Sequence, residues 1–380
     1  MKKLLLSAFV ICLAGTSIAQ ESPLWMRHCA LSPDGTTIAF TYKGDIYTVP
    51  STGGRATQIT TNPAFDTEPV WSPDSKQIAF ASDRMGSLDV FVVSSEGGAP
   101  QRLTTHSGSE KPVAYKDNKH ILFTANIAPS AEDAGFPSGQ FQQVYEVAVT
   151  GGRPAMFSSM PMECISINKE GVMLYQDKKG YEDYWRKHQV SPIARDIWTY
   201  TPGKKPVYQK QTTFGGEDRE PVWSPDGKSF YYLSEEKGSF NIFQRTPGTT
   251  TSQQITFHTK HPVRFLSIST TGTLCYGYDG EIYTLVPGKQ PQKVNISILA
   301  DKNDKDIIRQ IKSNGATDIA VSPKGKEVAF IMRGDVYVTS IDYKTTKQIT
   351  NTPDQERNIS FAPDGRTLVY SSERDGLWQL

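Results

Sequence analysis

The densest group of side chains able to do chemistry lies between Lys178 and Trp198. Arg186, Lys187, His188 and Arg195 stand there among Tyr181, Tyr184 and Trp185, in a segment too long for a hairpin turn. Loops of that size in compact folds tend to carry binding sites. A guanidinium grips a carboxylate through two parallel hydrogen bonds and aromatic rings add contact area, so this composition suits the free carboxylate of a peptide. Trp185, Arg186, Lys187, His188 and Arg195 therefore form the candidate binding set. An alternative stays open on the same residues, in which Trp185 packs on the fold while Glu182 and Asp183 neutralise the cations of a solvated loop.

Other candidates carry less. His258 and His261 have a spacing that a metal can use, but no Cys lies near them, so neither a metal nor a cofactor is called for. Asp34, Asp74, Asp226 and Asp364 recur inside similar turns and read as structural. Residues 126–143 form a second insertion, expected to be a lid, a subunit contact or a structureless loop.

These residues need a scaffold, and the scaffold repeats. Ser32-Pro33-Asp34-Gly35 is followed by Ile38-Ala39-Phe40, Asp45-Ile46-Tyr47, Gly53-Gly54 and Ile59-Thr60. About forty residues later the order returns as Ser72-Pro73-Asp74, Ile78-Ala79-Phe80, Asp89-Val90-Phe91, Gly97-Gly98 and Leu103-Thr104. Proline presets φ in the turn, Asp bonds back to the backbone and Gly takes positive φ. The apolar alternation that follows is that of half-buried strands. Four short strands per repeat make one blade of a β-propeller, and the fold class is all-β.

Six repeats fit residues 24–298, the third and fourth degenerate and the fifth clean at Trp223-Ser224-Pro225-Asp226-Gly227. A charged stretch, residues 299–314, then interrupts the rhythm and reads as a linker. The repeats resume over residues 315–380, with Ser322-Pro323-Lys324-Gly325 and Ala362-Pro363-Asp364-Gly365 opening two more units. The second of these stops at its third strand. The expected architecture is thus a six-bladed propeller followed by the first one to two blades of a second, incomplete one, in the N-terminal part of a longer protein.

Lys and Arg total 41 against 40 for Asp and Glu, so no bulk field exists to hold nucleic acid or an anionic membrane. Met1-Lys2-Lys3, an apolar run and Ser17-Ile18-Ala19 make residues 1–19 a signal peptide, so a soluble, periplasmic product is expected. The mature chain keeps Cys29, Cys164 and Cys275. Their odd number and wide spacing argue against a disulfide framework, although Cys29 and Cys275 fall in repeats that become neighbours if the ring closes.

A leader, six blades, a charged break and fresh blades resemble the layout of the tricorn protease family. The most particular likeness is Lys178-Lys179-Gly180-Tyr181-Glu182-Asp183-Tyr184-Trp185-Arg186-Lys187-His188 with Arg195-Asp196-Ile197-Trp198, similar to the fourth-blade segment of bacterial homologues. The resemblance implies a self-assembling serine peptidase with two propellers, a PDZ module and catalytic domains, the propellers guiding peptides to and from the catalytic chamber. It places the catalytic groups in a C-terminal half outside this sequence, so no catalytic residue is assigned here. The family's first propeller also supplies adjacent arginines for a substrate carboxylate, and this sequence has no Arg-Arg pair. Two other readings stay in view. One is a non-catalytic TolB-like propeller that binds a protein partner, a family with an α/β domain before its blades. The other is the propeller of a prolyl-oligopeptidase-type enzyme, whose Gly-x-Ser-x-Gly elbow is absent from this sequence.

Overall fold

The computed structural model of the chain describes residues 23–127, 141–181, 185, 186, 188, 190–299 and 314–380. The expected leader, most of the linker, the centre of the second insertion and Lys187 lie outside the described residues. The chain forms two compact units that divide between Leu299 and Ala300.

The first unit is all-β. Its described residues form six four-stranded antiparallel sheets in chain order, blades 1 to 6, over residues 27–58, 66–102, 111–158, 162–210, 218–254 and 264–293. The first strand of each blade packs beside the first strand of the next, and that of blade 6 packs on that of blade 1, so the ring closes. These first strands are the inner ones around the propeller axis. Apolar residues collect in one cluster at each of the six boundaries between blades. Every blade thus completes its core only against its neighbours, as repeat folds require.

The repeated motif explains each turn. In blade 1 the Ser32 hydroxyl donates to Asp34 at 2.6 Å, the Thr36 amide donates to the same carboxylate at 2.9 Å, and Gly35 sits at φ 78°. Blade 5 repeats this with Ser224 and Asp226 at 2.6 Å. The Ser72 hydroxyl holds the Asp74 carboxyl below its ordinary range, and Ser224 does the same for Asp226. The Leu/Ile-Thr ending has a local cause as well. The hydroxyls of Thr60, Thr104 and Thr256, and of Thr212 where Gln211 replaces the Leu/Ile, accept the third-strand amides of Ile46, Val90, Ile242 and Ile197 at 2.9–3.0 Å. A buried backbone N–H is thereby satisfied in each of these blades. Trp71 and Trp223, just before the turn, reach back to the preceding blade and donate to the carbonyls of Ala30 and Val172 at 2.8 and 3.1 Å.

Closure uses hydrogen bonds as well as the apolar cluster. The Leu31 amide bonds the Ser267 hydroxyl at 3.0 Å, and the Thr270 amide bonds the Pro33 carbonyl at 2.8 Å. Beyond blade 6 the chain adds a fifth strand, Ile296–Ile298, parallel to the outer strand Gly54–Gln58 of blade 1. Gly53 lies against it, where a Cβ would stand 2.7 Å from the Asn295 carbonyl oxygen.

The inner strands share a feature that repeat spacing did not reveal. Five of them bulge at a non-glycine residue with positive φ: His28 at 50°, Glu68 at 55°, Cys164 at 51°, Glu220 at 49° and Phe265 at 60°. Bulges of this kind re-aim side chains. The His28 ring lies 4.7 Å from that of Phe265, Glu68 pairs with Lys111 at 2.6 Å, and Glu220 accepts the Leu266 amide at 2.8 Å.

The second unit contains a four-stranded sheet over residues 316–348 and a two-stranded sheet of Glu356–Phe361 with Leu368–Ser372. Ala329, Ile331, Val336 and Ile359 form its apolar cluster.

Candidate functional site

The fourth-blade insertion leaves the strand Met173–Asp177 and returns at Ile197–Thr201. Its two ends are tied together. The Lys179 ammonium donates to the Ala194 carbonyl at 2.6 Å and pairs with Asp196, while Asp177 accepts the Asp196 amide at 2.8 Å and the Trp198 indole N–H at 2.9 Å. Burial alone would lower the Lys179 pKa, but Asp196 and Asp177 outweigh it and raise it.

Beneath these ends runs a buried ionic network. Arg195 is 3 % exposed, and its guanidinium meets Glu163 at 3.3 Å and Glu217 at 3.5 Å. Glu217 also accepts from Arg219 at 2.6 Å, and the Arg219 guanidinium lies 5.1 Å from the Phe240 ring centre. Gln176 links the network to the inner strands, donating to Glu163 and accepting the Glu220 amide, both at 2.9 Å. Burial pushes the Glu163 pKa up, but Arg195 and Lys178 outweigh it and leave the carboxyl below its ordinary range. Paired charges at this depth fix geometry, and removing one partner strands the other.

The tip of the insertion reaches the opposite side of the ring. Trp185 is 49 % exposed, with the guanidinium of Arg27 5.0 Å and that of Arg264 4.7 Å from its ring centre. Arg264 also approaches the Trp185 carbonyl at 3.5 Å. Arg27 and Arg264 hold the same place in the inner strands of blades 1 and 6, immediately before the bulged residues. A segment rooted in blade 4 is therefore held over the boundary that closes the ring. His188 turns toward blade 5, its amide donating to Glu235 at 2.6 Å.

The residues expected to act together are thus split. Trp185, Arg186 and His188 are exposed near the tip, Arg195 is sealed below, and Lys187 is outside the described residues. Two residues that sequence reading missed, Arg27 and Arg264, complete the tip. No local pattern announces them, because they meet Trp185 only through closure of the ring. Two cations within 5.0 Å of one indole ring centre concentrate positive potential in a small area, an arrangement matched to a carboxylate. His258 and His261 take other contacts: the first stacks on Tyr278 with ring centres 3.8 Å apart, and the second meets Asp279 at 3.3 Å.

Known proteins share this architecture. The chain is 22 % identical over 358 residues to tricorn protease homolog 1 of Streptomyces coelicolor, covering 90 % of this chain and 32 % of that protein. A second, putative tricorn protease homolog of the same organism is 21 % identical over 375 residues, covering 96 % of this chain and 31 % of its own length. The chain therefore spans about a third of the length of the curated relatives it matches. Among solved structures, that of the tricorn protease superposes with a TM-score of 0.66 at 16 % identity, over 92 % of this chain and 33 % of that one, a likeness of fold. Residues 23–291 match the family described as the tricorn protease N-terminal beta propeller domain, and the chain belongs to that family.

Proposed function

We propose that this propeller guides or gates peptides for an exported serine peptidase of the tricorn type, whose catalytic domains lie in the remainder of the full-length protein. The observation that carries the reading is the convergence of Arg27 and Arg264 on Trp185 beside the inner strands. A peptide passing this point presents a C-terminal carboxylate to two guanidiniums and an apolar flank to the indole. Arg186 and His188 are exposed beside it, Lys187 is proposed to join them, and Arg195 acts from beneath as the anchor that holds the loop. The protein is proposed to work in the periplasm, delivered by residues 1–19, and to assemble with copies of itself.

The test uses the full-length protein with Arg27→Ala and Arg264→Ala combined. Hydrolysis of matched peptides with free and amidated C-termini should separate, the free acids showing a KM raised about tenfold, as loss of a charge-assisted hydrogen bond implies. The kcat for both should hold. An unchanged KM for free acids, or an equal rise for amides, would sink the carboxylate reading. Export is tested separately by fusing residues 1–19 to a reporter that is active only outside the cytoplasm.

A further inference from the structure

Cys29 lies in the inner strand Arg27–Leu31 of blade 1, and Cys275 in the second strand Leu274–Tyr278 of blade 6. They are far apart in sequence but belong to the same buried cluster, the one at the boundary that closes the ring. Both are thiols, 4 % and 0 % exposed. The Cys29 thiol points across the boundary, with its sulfur 3.5 Å from the Phe265 carbonyl oxygen. The backbone fixes the register around it. Ser267 pairs with Cys275 within blade 6 and accepts the Leu31 amide of blade 1 at 3.0 Å. The two cysteines thus lie in one cluster on strands that pack together, and the Cys29 thiol donates to the blade 6 backbone at Phe265. Cys164, the third cysteine, belongs to blade 4 and lies away from this boundary.

We propose that Cys29 and Cys275 join in a disulfide that closes the six-bladed ring covalently when the chain folds in an oxidising compartment.

Burial, and then the contact with Cys275, raise the Cys29 thiol well above its ordinary pKa. A thiol so buried and so seldom ionised is a poor nucleophile and a poor metal ligand. The bond therefore forms while blade 6 is docking on blade 1, before the cluster is sealed. One thiolate attacks an oxidised disulfide reagent, giving a mixed disulfide and releasing one reagent thiolate. The second cysteine thiolate then attacks the protein sulfur of that mixed disulfide and expels the other reagent thiolate. Two protein thiols have lost two protons and two electrons, and one reagent disulfide has become two thiols. The site is also where a cross-link constrains the unfolded chain most. A bond between the first and last blades closes a loop of about 250 residues, and the effect grows with loop length. At the outer edge of that boundary the noncovalent clasp is short, the parallel strand Ile296–Ile298.

The test is refolding of the 380-residue chain, with Cys12→Ser to leave the three cysteines beyond residues 1–19, in a glutathione and glutathione-disulfide buffer, followed by alkylation, trypsin digestion and mass spectrometry without reduction. The expected product links residues 28–43 to residues 265–289, with Cys164 alkylated, and Cys164→Ser leaves the link in place. The oxidised chain should melt about 10 °C above the same chain refolded in dithiothreitol, an advantage that Cys275→Ser abolishes. Free thiols at Cys29 and Cys275 after refolding, or a link through Cys164, would overturn the proposal. The readout in glutathione buffer is independent of whether residues 1–19 direct export and of peptide binding at Trp185.

Discussion

Asp218 opens the inner strand Asp218–Trp223 of blade 5 and is buried beside the Arg195–Glu217–Arg219 network. Burial is the chief cause that raises its carboxyl from an ordinary 3.8 to about 7, with Asp196 and Glu236 pushing the same way and the nearby Ser234 and Thr212 hydroxyls opposing them. Between these two values the folded chain keeps a proton that the unfolded chain has released. The associated stability is fully present below pH 3.8 and is lost as pH rises toward 7. Asp218→Asn keeps the position neutral at every pH and so removes the loss. At about 1.36 kcal/mol for each pH unit between 3.8 and about 7, above which the loss is complete, the variant's advantage is about 1–2 kcal/mol at pH 5 and about 4 kcal/mol at pH 8. For a unit of this size that is about 3 °C and about 8 °C in Tm. Thermal unfolding followed by circular dichroism from pH 5 to pH 8 measures both chains. A Tm difference that stays flat across this range, or an aspartate form that is the more stable at pH 8, would refute the reasoning.

Two further outcomes follow from the ring and from the second unit. Gly53→Ala puts a methyl 2.7 Å from the Asn295 carbonyl oxygen at φ 92°, so it should weaken the closing strand by about 2–3 kcal/mol and lower Tm by about 5 °C. Gly248→Ala, at φ 77° with open space around it, should cost less, and equal losses would discount the clasp. In the 380-residue chain, residues 316–380 expose Ile319, Val321, Ile341 and Val369 over a small cluster, so limited proteolysis should remove them before it cuts the six-bladed ring. Mass spectrometry that finds residues 316–380 surviving as long as the ring would count against this.

The repeating turn was legible in the sequence because its causes are local. Ser32, Asp34 and Gly35 settle their conformation with partners a few residues away, and the same chemistry recurs at Ser224, Asp226 and Gly227. The alternation of Ile38 and Phe40 sets a strand, but one buried on both faces rather than half-buried, since Ile38 and Phe40 enter one cluster and Ala39 the next. Even there the sequence concealed the roles of the Leu/Ile-Thr endings and of the inner-strand bulges. Nothing in the residue types Glu68, Cys164, Glu220 or Phe265 favours positive φ, which comes with the register shift between each inner strand and the second strand of its blade.

The candidate site divides the same way. Its composition marked the insertion, and Trp185, Arg186 and His188 are exposed there. Arg195 has the same chemistry and lies only ten residues from Trp185, yet it returns with the strand into the blade, where Glu163 and Glu217 hold it. By itself the sequence determined the blade, its turns and the number of repeats, since each depends on spacings within about forty residues. Closure of the ring decided the rest. Only when blade 6 meets blade 1 do Arg27 and Arg264 reach Trp185 and Cys29 come beside Cys275, because contacts between the two ends of a ring are set by the summed geometry of all the blades between them.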